Sequence, residues 1–307
     1  MKRLISIAAA LFAFMHLAVG QTVTRTESFT SFSAIDVSSS FEVVLREGKR
    51  YEVEYTVDKR VADYCGIFLK GGVLCFNLDE KSFPKELKQQ LKGKDKNVVL
   101  RATVTIPETS MLQNITVSDK AILRGEQQQF EVTNSCIVTA SDNARILGLN
   151  LESSQITLNA RNRAEVKLSL EASSVTISAI NNCDLDLDVV APSLSVSSDN
   201  SSKLNCRMNS NSCDITAEAS SELIFKGNCS KFSLKSKNNA KIYALDASVE
   251  HADLSMNSGT CELNVLNSMR LDLTSGAKLT FNGSPSIALD RIQNSTVLRY
   301  GDTKKKK

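Results

Sequence analysis

One short unit of sequence recurs through the second half of the chain, from Ala140 to Val297. Each unit can be aligned on a small residue that follows a polar turn and opens a run of alternating apolar and polar residues. These anchor residues, spaced by 20, 19, 19, 19, 19, 21 and 16 positions, are Ala144, Ala164, Cys183, Ser202, Ser221, Ala240, Cys261 and Ala277. Alternation with a period of two indicates β-strands, and a repeat of near-constant length indicates the stacked turns of a solenoid. The sequence therefore predicts an all-β fold, a parallel β-helix (β-solenoid) with rungs of about 19 residues.

The residues directly after the anchors check this alignment independently. They read Arg145, Glu165, Asp184, Lys203, Glu222, Lys241, Glu262 and Lys278. In parallel, in-register strands such residues lie above one another about 4.8 Å apart, and opposite charges facing across strands stabilise by roughly 0.2–1 kcal/mol. Only Glu165 and Asp184 meet as like charges. Because the alignment used interior residues alone, this alternating outward column supports the same register.

The N-terminus has the pattern of an export signal. Lys2 and Arg3 precede an apolar run over residues 4–19, and small residues flank a cleavage point before Gln21. This pattern predicts a secretory signal peptide over residues 1–20. A membrane anchor is the alternative, although the apolar run is short for a span, and no later stretch could cross a bilayer as a helix. The protein is therefore predicted to be exported to the periplasm, the outer-membrane surface or the extracellular space.

Three further regions follow the predicted signal peptide. Residues 21–110 read as strands and turns and are predicted to form an N-terminal β region, or cap, continuous with the solenoid. Residues 111–300 carry the repeats, and residues 301–307 form a basic tail that ends in four lysines. From Gln21 onward the chain holds 35 basic and 34 acidic residues, a balance that gives no support to nucleic-acid binding.

A lysine-rich segment, residues 81–96, interrupts the N-terminal β region. Phe83, Leu87 and Leu91 recur four residues apart, which predicts a short amphipathic helix packed on the body by its apolar stripe. The alternative is a basic patch for an anionic glycan or a membrane surface. Its candidate contact residues are Lys85, Lys88 and Lys92.

Eight cysteines in an exported chain suggest disulfides, but their positions in the repeat argue against them. The alignment places Cys183, Cys206 and Cys213 on inward faces. Their neighbours in the next rung are Ser202, Phe225 and Phe232. Most of the cysteines are therefore predicted to be small buried apolar residues.

Residues that could support catalysis are sparse. His251 is the one histidine after the predicted cleavage point, and the alignment places it in a turn between repeats. The sequence contains no glycine-rich phosphate loop and no spaced Cys/His zinc pattern. We therefore predict no catalytic residues and no cofactor.

An acidic triplet is the best candidate for a metal site. Asp184, Asp186 and Asp188 project from one outward face, as calcium-binding carboxylates do in some β-helical polysaccharide lyases. Their predicted neighbours, one rung away, are Lys203, Lys167 and Arg207. Because each carboxylate has a cation beside it, a salt-bridge ladder is favoured and no bound metal is predicted.

A small apolar patch is the second candidate binding surface. The mature chain has no tryptophan, and within the regular units only Tyr243 is an outward aromatic residue. Ile224 is predicted to lie directly beside it in the neighbouring rung, and Leu245 follows it on the same strand. These three residues are candidates for contact with a partner.

Several short motifs, in this order, resemble one known family. They are Phe32-x-x-Ile35-x-Val37, Phe41-x-Val43 with a turn at Gly48, Val104-Thr-Ile106-Pro107, the turns Ser141-Asp-Asn-Ala144, Ser258-Gly-Thr260 and Ser275-Gly-Ala277, and Val297-x-x-Tyr300-Gly301. Together they resemble the putative auto-transporter adhesin, head GIN domain family, from about Phe29 to Gly301. The resemblance implies a right-handed β-helix outside the cytoplasm, in a family of largely unknown function. It supplies no catalytic residues.

Two functional hypotheses follow from these observations. The first is a non-enzymatic secreted or cell-envelope interaction module, adhesin-like, with a cell-surface glycan or an envelope protein as its partner. The second is a polysaccharide lyase or hydrolase built on a β-helix, with the acidic triplet at its centre. The oligomeric state is left open by the sequence.

Overall fold

A computed structural model describes residues 22–92, 97–107, 112–126, 129–131 and 135–300. The predicted signal peptide, residues 93–96 of the lysine-rich segment, and the basic tail lie outside the described residues. The described chain forms a parallel β-solenoid of about nine turns, with rungs of about 19 residues and irregular N-terminal strands. The fold predicted from the repeat is confirmed.

Twenty-two strands can be followed along the described residues, with one short α-helix, α1 (Lys85–Gln90). The strands before the solenoid repeats are β1 (Thr22–Ser28), β2 (Ala34–Val37), β3 (Glu42–Gly48), β4 (Glu52–Asp58), β5 (Cys65–Lys70), β6 (Val73–Leu78) and β7 (Leu100–Pro107). The others are β8 (Asn114–Val117), β9 (Ile122–Gly125), β10 (Gln129–Glu131), β11 (Ser135–Ser141), β12 (Arg145–Arg161), β13 (Glu165–Ile180), β14 (Asp184–Val190), β15 (Ser193–Asp199), β16 (Lys203–Ala217), β17 (Glu222–Lys237), β18 (Lys241–Asn257), β19 (Thr260–Thr274), β20 (Lys278–Asn282), β21 (Ser286–Ile292) and β22 (Thr296–Arg299).

Each regular rung contributes to two sheets. The strand segments that follow the turn between two rungs form what we call the first sheet. The segments that follow the corner inside a rung form the second sheet. A single long strand commonly bends through the corner. β13, for example, pairs with β14 in the first sheet through residues 165–171 and with β15 in the second sheet through residues 174–180. Every rung therefore stabilises its neighbours through two rows of parallel backbone hydrogen bonds.

The N-terminal strands do not stack in chain order. β2 and β3 form one rung, which pairs with β8 and β9 on one side and with β6 and β7 on the other. Antiparallel strands close this end, with β4 on β7, β1 on β4 and β5 on β6. The hairpin of β5 and β6 turns at Gly71 and Gly72, both in the left-handed region.

Alternating residues fill the space between the two sheets. In β13, Val166, Leu168 and Leu170 are buried, while Glu165 and Lys167 lie on the outside. The same alternation runs through all the regular rungs and produces one continuous apolar core. Since complete burial of such a side chain stabilises by roughly 1.5–3 kcal/mol, the core supplies the main force that holds successive rungs together.

The anchor column is buried as predicted, but one member was wrongly assigned. Ala164, Ser202 and Ala240 are almost completely buried. However, Gly259 occupies the anchor position above Ala240, and Cys261, two residues further on, pairs with the inward residues Ile242 and Leu279. The outward neighbour of Lys241 is consequently Thr260 and not Glu262, so the alternation of charge ends at Lys241, two rungs before Lys278, where it was expected to end.

A matched pair of glycine substitutions tests this corrected register. Gly259 and Gly276 both adopt a left-handed backbone, with φ of 89° and 81°. A Cβ atom on Gly259 would lie 2.4 Å from the carbonyl oxygen of Ala240, whereas one on Gly276 would have no neighbour within 4 Å. Both alanine variants are strained by φ, and Gly259→Ala adds overpacking that costs roughly 1–3 kcal/mol. We expect urea unfolding to show this extra loss, and equal stabilities would contradict the register.

The turns between rungs are built from pairs of residues in the left-handed region. Successive pairs include Asn162 with Arg163, Asn181 with Asn182, and Asn238 with Asn239, with φ between 53° and 67°. This conformation costs an ordinary residue about 1–2 kcal/mol, and asparagine is among the few that tolerate it. The asparagine-rich turns that the sequence shows are therefore a backbone requirement repeated in almost every rung.

Asparagine side chains also connect the turns to one another. The Nδ2 of Asn162 donates to Asp142 Oδ1 (2.8 Å), that of Asn181 to Asn162 Oδ1 (3.0 Å), and that of Asn200 to Asn181 Oδ1 (2.9 Å). The hydrogen bond from Asn162, together with one from Ser141, holds the pKa of Asp142 below its usual value. This ladder of side-chain hydrogen bonds between turns ends at Asn200, because the corresponding residue of the next turn is Ala219.

Removal of one ladder residue should measure its contribution. Asn181→Gly keeps the left-handed turn but loses two side-chain hydrogen bonds, each worth about 0.5–1.5 kcal/mol. Asn239→Gly is the control, because Asn239 has the same backbone conformation and its side chain makes no hydrogen bond within the described residues. The greater flexibility that glycine gives the unfolded chain cancels between the two variants. We expect Asn181→Gly to be less stable by about 1–3 kcal/mol in urea unfolding; equal stabilities would show that the ladder contributes nothing.

Candidate binding surface

The acidic triplet lies on the outward face of β14, and each member has a polar partner. Asp184 pairs in register with Lys203, and Asp186 with Lys167. Asp186 also accepts a hydrogen bond from Asn205 Nδ2 (3.1 Å). The guanidinium of Arg207 holds Asp188 through two hydrogen bonds, one of 2.8 Å from Nη2 and one from Nε. The same contact raises the pKa of Arg207 above its usual value. Bidentate pairing of this kind occupies the carboxylate oxygens that a metal ion would need.

Calcium titration tests the lyase hypothesis for this triplet. We expect no calcium-dependent rise in melting temperature for the wild type, because Arg207 occupies both oxygens of Asp188 and a lysine stands in register beside each of the other two carboxylates. Asp186→Asn should lower the free energy of unfolding by less than about 1 kcal/mol, as for an ordinary surface pair. Calcium-dependent stabilisation or polysaccharide cleavage that disappears in Asp186→Asn would establish the enzyme hypothesis instead.

The apolar patch is assembled as the sequence predicts. Ile224 and Tyr243 are direct cross-strand neighbours in β17 and β18, and Leu245 follows on β18. All three side chains are half-buried. Because Glu262 borders Tyr243 on the other side, the patch stays narrow. Its size is ordinary for a protein surface.

The lysine-rich segment forms a shorter helix than predicted. Helix α1 spans only Lys85–Gln90, and Phe83 and Leu87 pack it on the body. Lys85, Lys88 and Lys92 are all exposed. Lys88 and Lys92 line a cavity of about 790 Å³ beside the rim of the first sheet, and Lys85 does not. Lys88 Nζ also donates to the Lys81 carbonyl oxygen (3.0 Å).

His251 was placed wrongly by the sequence alignment. It lies within β18 on the outward face of the second sheet, paired in register with Lys231 and Ser268, and not in a turn. The repeat containing it is distorted by register shifts between Ala244 and Val249. The sequence alignment placed a turn in this irregular part of the repeat, but β18 continues through it.

A groove of about 620 Å³ surrounds His251 on the second sheet. We call it the second-sheet groove. Its polar lining comes from two outward columns that lie side by side, and each column takes one residue from each of five successive rungs. One column is Ser212, Lys231, His251, Ser268 and Ser286, and the other is Asp214, Ser233, Asp253, Arg270 and Ala288. Sequence reasoning missed this surface because only the outward columns of the first sheet were compared. The signal was available as alternating polar residues across five consecutive rungs.

Charged groups of both signs line this groove. Lys231, His251, Asp253 and Arg270 are exposed, and the described residues provide no ion pair for Lys231 or Asp214. The hydrogen bond to Asp290 (2.6 Å), and to a smaller extent the charge of Asp253, raise the pKa of Arg270 above its usual value. The groove thus offers donors and acceptors that the protein leaves available for a ligand.

Within the part of the chain that the structure describes, His251 and Ser268 lack the carboxylate partner of a Ser-His-Asp triad. His251 Nδ1 lies 2.8 Å from Ser268 Oγ, which is the spacing of a nucleophile and its base. A triad also needs a carboxylate that orients the second ring nitrogen. Within the described residues, the hydrogen bond to Ser268 is the only side-chain bond of His251.

The cysteines are equally unsuited to nucleophilic chemistry. All eight are free, and Cys206 and Cys213 stack on Phe225 and Phe232 as predicted. Burial raises the pKa of the Cys206 thiol to about 12. Since the thiolate is the reactive form, such a residue is inert near neutral pH.

The fold and its surfaces define a class, a parallel β-solenoid with polar outward columns. The sequence matches the family described as putative auto-transporter adhesin, head GIN domain, over residues 31–188 and again over residues 182–285. The chain belongs to this family. The family model matches twice in succession, whereas the motif order suggested a single match. Two matches agree with a fold that is extended by adding rungs.

Solved structures resemble the chain only at low identity. A putative adhesin from Parabacteroides merdae ATCC 43184 is 14% identical, with a TM-score of 0.47 over 91% of this chain and 96% of its own. One from Parabacteroides distasonis ATCC 8503 is 14% identical, with a TM-score of 0.47 over 91% and 97%. A putative lipid binding protein from the same strain is 16% identical, with a TM-score of 0.41 over 91% and 97%. At these scores the likenesses carry no argument of their own. No curated protein matches the sequence.

Proposed function

We propose that the protein is a non-enzymatic interaction module that binds a hydroxyl-rich partner through the second-sheet groove. The partner class is a cell-surface glycan or a glycosylated envelope protein. The observation that carries this proposal is the double column of polar side chains in the groove, in which Lys231 and Asp214 have no ion-pair partner among the described residues. Sugar hydroxyls donate and accept hydrogen bonds, as the serine, aspartate and lysine side chains of the groove do.

The proposal includes export, which rests on the apolar run after Lys2 and Arg3 and on membership in an adhesin-like family. Within the part of the chain that the structure describes, no helix is long and apolar enough to cross a membrane. The apolar patch of Ile224, Tyr243 and Leu245 and the lysines of α1 are secondary contact candidates. Long solenoid faces bind through many weak contacts, so no single side chain should dominate.

A glycan array followed by calorimetry tests the proposal. The chain from Gln21 to Lys307 should bind at least one polysaccharide class, and Lys231→Ala and Asp253→Ala should each weaken binding roughly 3- to 10-fold through loss of a hydrogen bond. Lys241→Ala is the matched control, because Lys241 is an exposed lysine on the first-sheet portion of β18. It should bind like the wild type. The proposal fails if no glycan binds, or if the groove variants and the control behave alike.

A further inference from the structure

The cavity of about 790 Å³ beside α1 lies between that helix and the outward face of the first sheet. We call it the helix cavity. Its walls come from the end of β6, from α1 and the residues on both sides of it, from the residues that lead into β7, and from the turns that precede β3 and β9. Cavities of roughly 300–1,000 Å³ are the usual size of small-molecule sites. The helix cavity therefore has the volume of a ligand site.

Helix α1 packs most closely on the body around its first turn. Phe83 and Leu87 are buried, and the Phe83 ring meets the Tyr64 ring edge-on with centroids 5.0 Å apart. Leu91, which follows Leu87 by one turn, is only partly buried and lines the helix cavity. The C-terminal end of α1 therefore borders the cavity and contributes an apolar surface to it.

Apolar side chains from separate elements meet in the helix cavity. Three of them are buried and four are partly buried, in the order Leu78, Phe83, Leu100, Leu91, Val98, Val99 and Ile122. The partly buried residues still expose part of their surface, and a ligand that removed this apolar area from water would gain binding free energy. The lining therefore favours a ligand with an apolar portion.

Basic side chains form the other part of the lining. Four basic and two acidic residues belong to it, namely Lys88, Lys92, Arg101, Lys120, Glu42 and Glu80. Arg101 Nε lies 3.5 Å from Glu42 Oε2, and both side chains are exposed, so this ion pair stabilises little. Lys92 and Lys120 have no ion-pair partner among the described residues. The cavity thus carries an excess of positive charge that favours an anionic ligand.

We propose that the helix cavity binds a single-chain fatty acid, with its carboxylate among the basic side chains and its acyl chain against Leu91, Val98 and Ile122. A carboxylate offsets the excess positive charge, and an acyl chain has no polar group that would need a partner beside apolar residues. A glycan would place hydroxyl groups against those residues instead. A membrane surface would reach the exposed lysines but not Phe83 or Leu100, which are buried.

Titration calorimetry of the chain from Gln21 to Lys307 tests this site with three probes. Dodecanoate should bind with one-to-one stoichiometry below its micelle concentration. Dodecyltrimethylammonium has the same chain with the opposite charge, and butanoate has the same head group with a short chain. We expect each of these two to bind more than about 10-fold more weakly, because each lacks one of the two matching features.

Variants of the lining locate the site. At least one of Lys92→Gln and Lys120→Gln should weaken dodecanoate binding roughly 3- to 10-fold through loss of a charged hydrogen bond. Lys85→Gln is the matched control, because Lys85 is an exposed lysine of α1 that does not line the helix cavity. Ile122→Thr keeps a β-branched residue in β9 and removes apolar area, so it should weaken binding about 3-fold.

Three results would each overturn the proposal. They are no binding of dodecanoate, equal binding of dodecyltrimethylammonium, and dodecanoate affinities of both Lys92→Gln and Lys120→Gln that match that of Lys85→Gln. The helix cavity shares no lining residue with the second-sheet groove, so none of these results bears on glycan binding.

Discussion

The backbone hydrogen bonds between rungs are the constraint on which the whole structure depends. They form only if each rung begins and ends at the same place as the one below it, and the two-residue left-handed turns fix that place. Asn162, Asn181 and Asn200 meet both requirements at once, because they tolerate the turn conformation and bond to the turn beneath. Stacking of identical side chains in register is the same device that stabilises cross-β assemblies. Here it is confined to one corner of a finite molecule.

The fold could be predicted because period-two alternation and a constant rung length are both local properties of the sequence. The predicted register was wrong at Cys261 for a related reason. A shift of two residues leaves every side chain on its original face, so the apolar pattern is almost as good in either alignment. What separates them is the backbone at Gly259, where only glycine allows the close approach to the Ala240 carbonyl. Turn chemistry therefore decides the register where side-chain pattern cannot.

The candidate binding surface was harder to predict than the core. Outward residues of a solenoid are restricted mainly by their cross-strand neighbours, so their identity says little about function unless the columns are known. The first-sheet columns were read correctly around Asp184, Asp186 and Asp188 because rungs there are 19 residues long. In the rung of His251, register shifts within β18 displaced the second sheet from the expected positions. The groove around His251 becomes visible only when those shifts are known.

The second-sheet groove reaches the last strand of its sheet. Ser286 and Ala288 line it from β21, while Ile287 and Leu289 on that strand continue the inward columns. Five rungs therefore contribute side chains to one surface. Because solenoid faces bind through many weak contacts spread over several rungs, such a groove can be adhesive without a deep pocket.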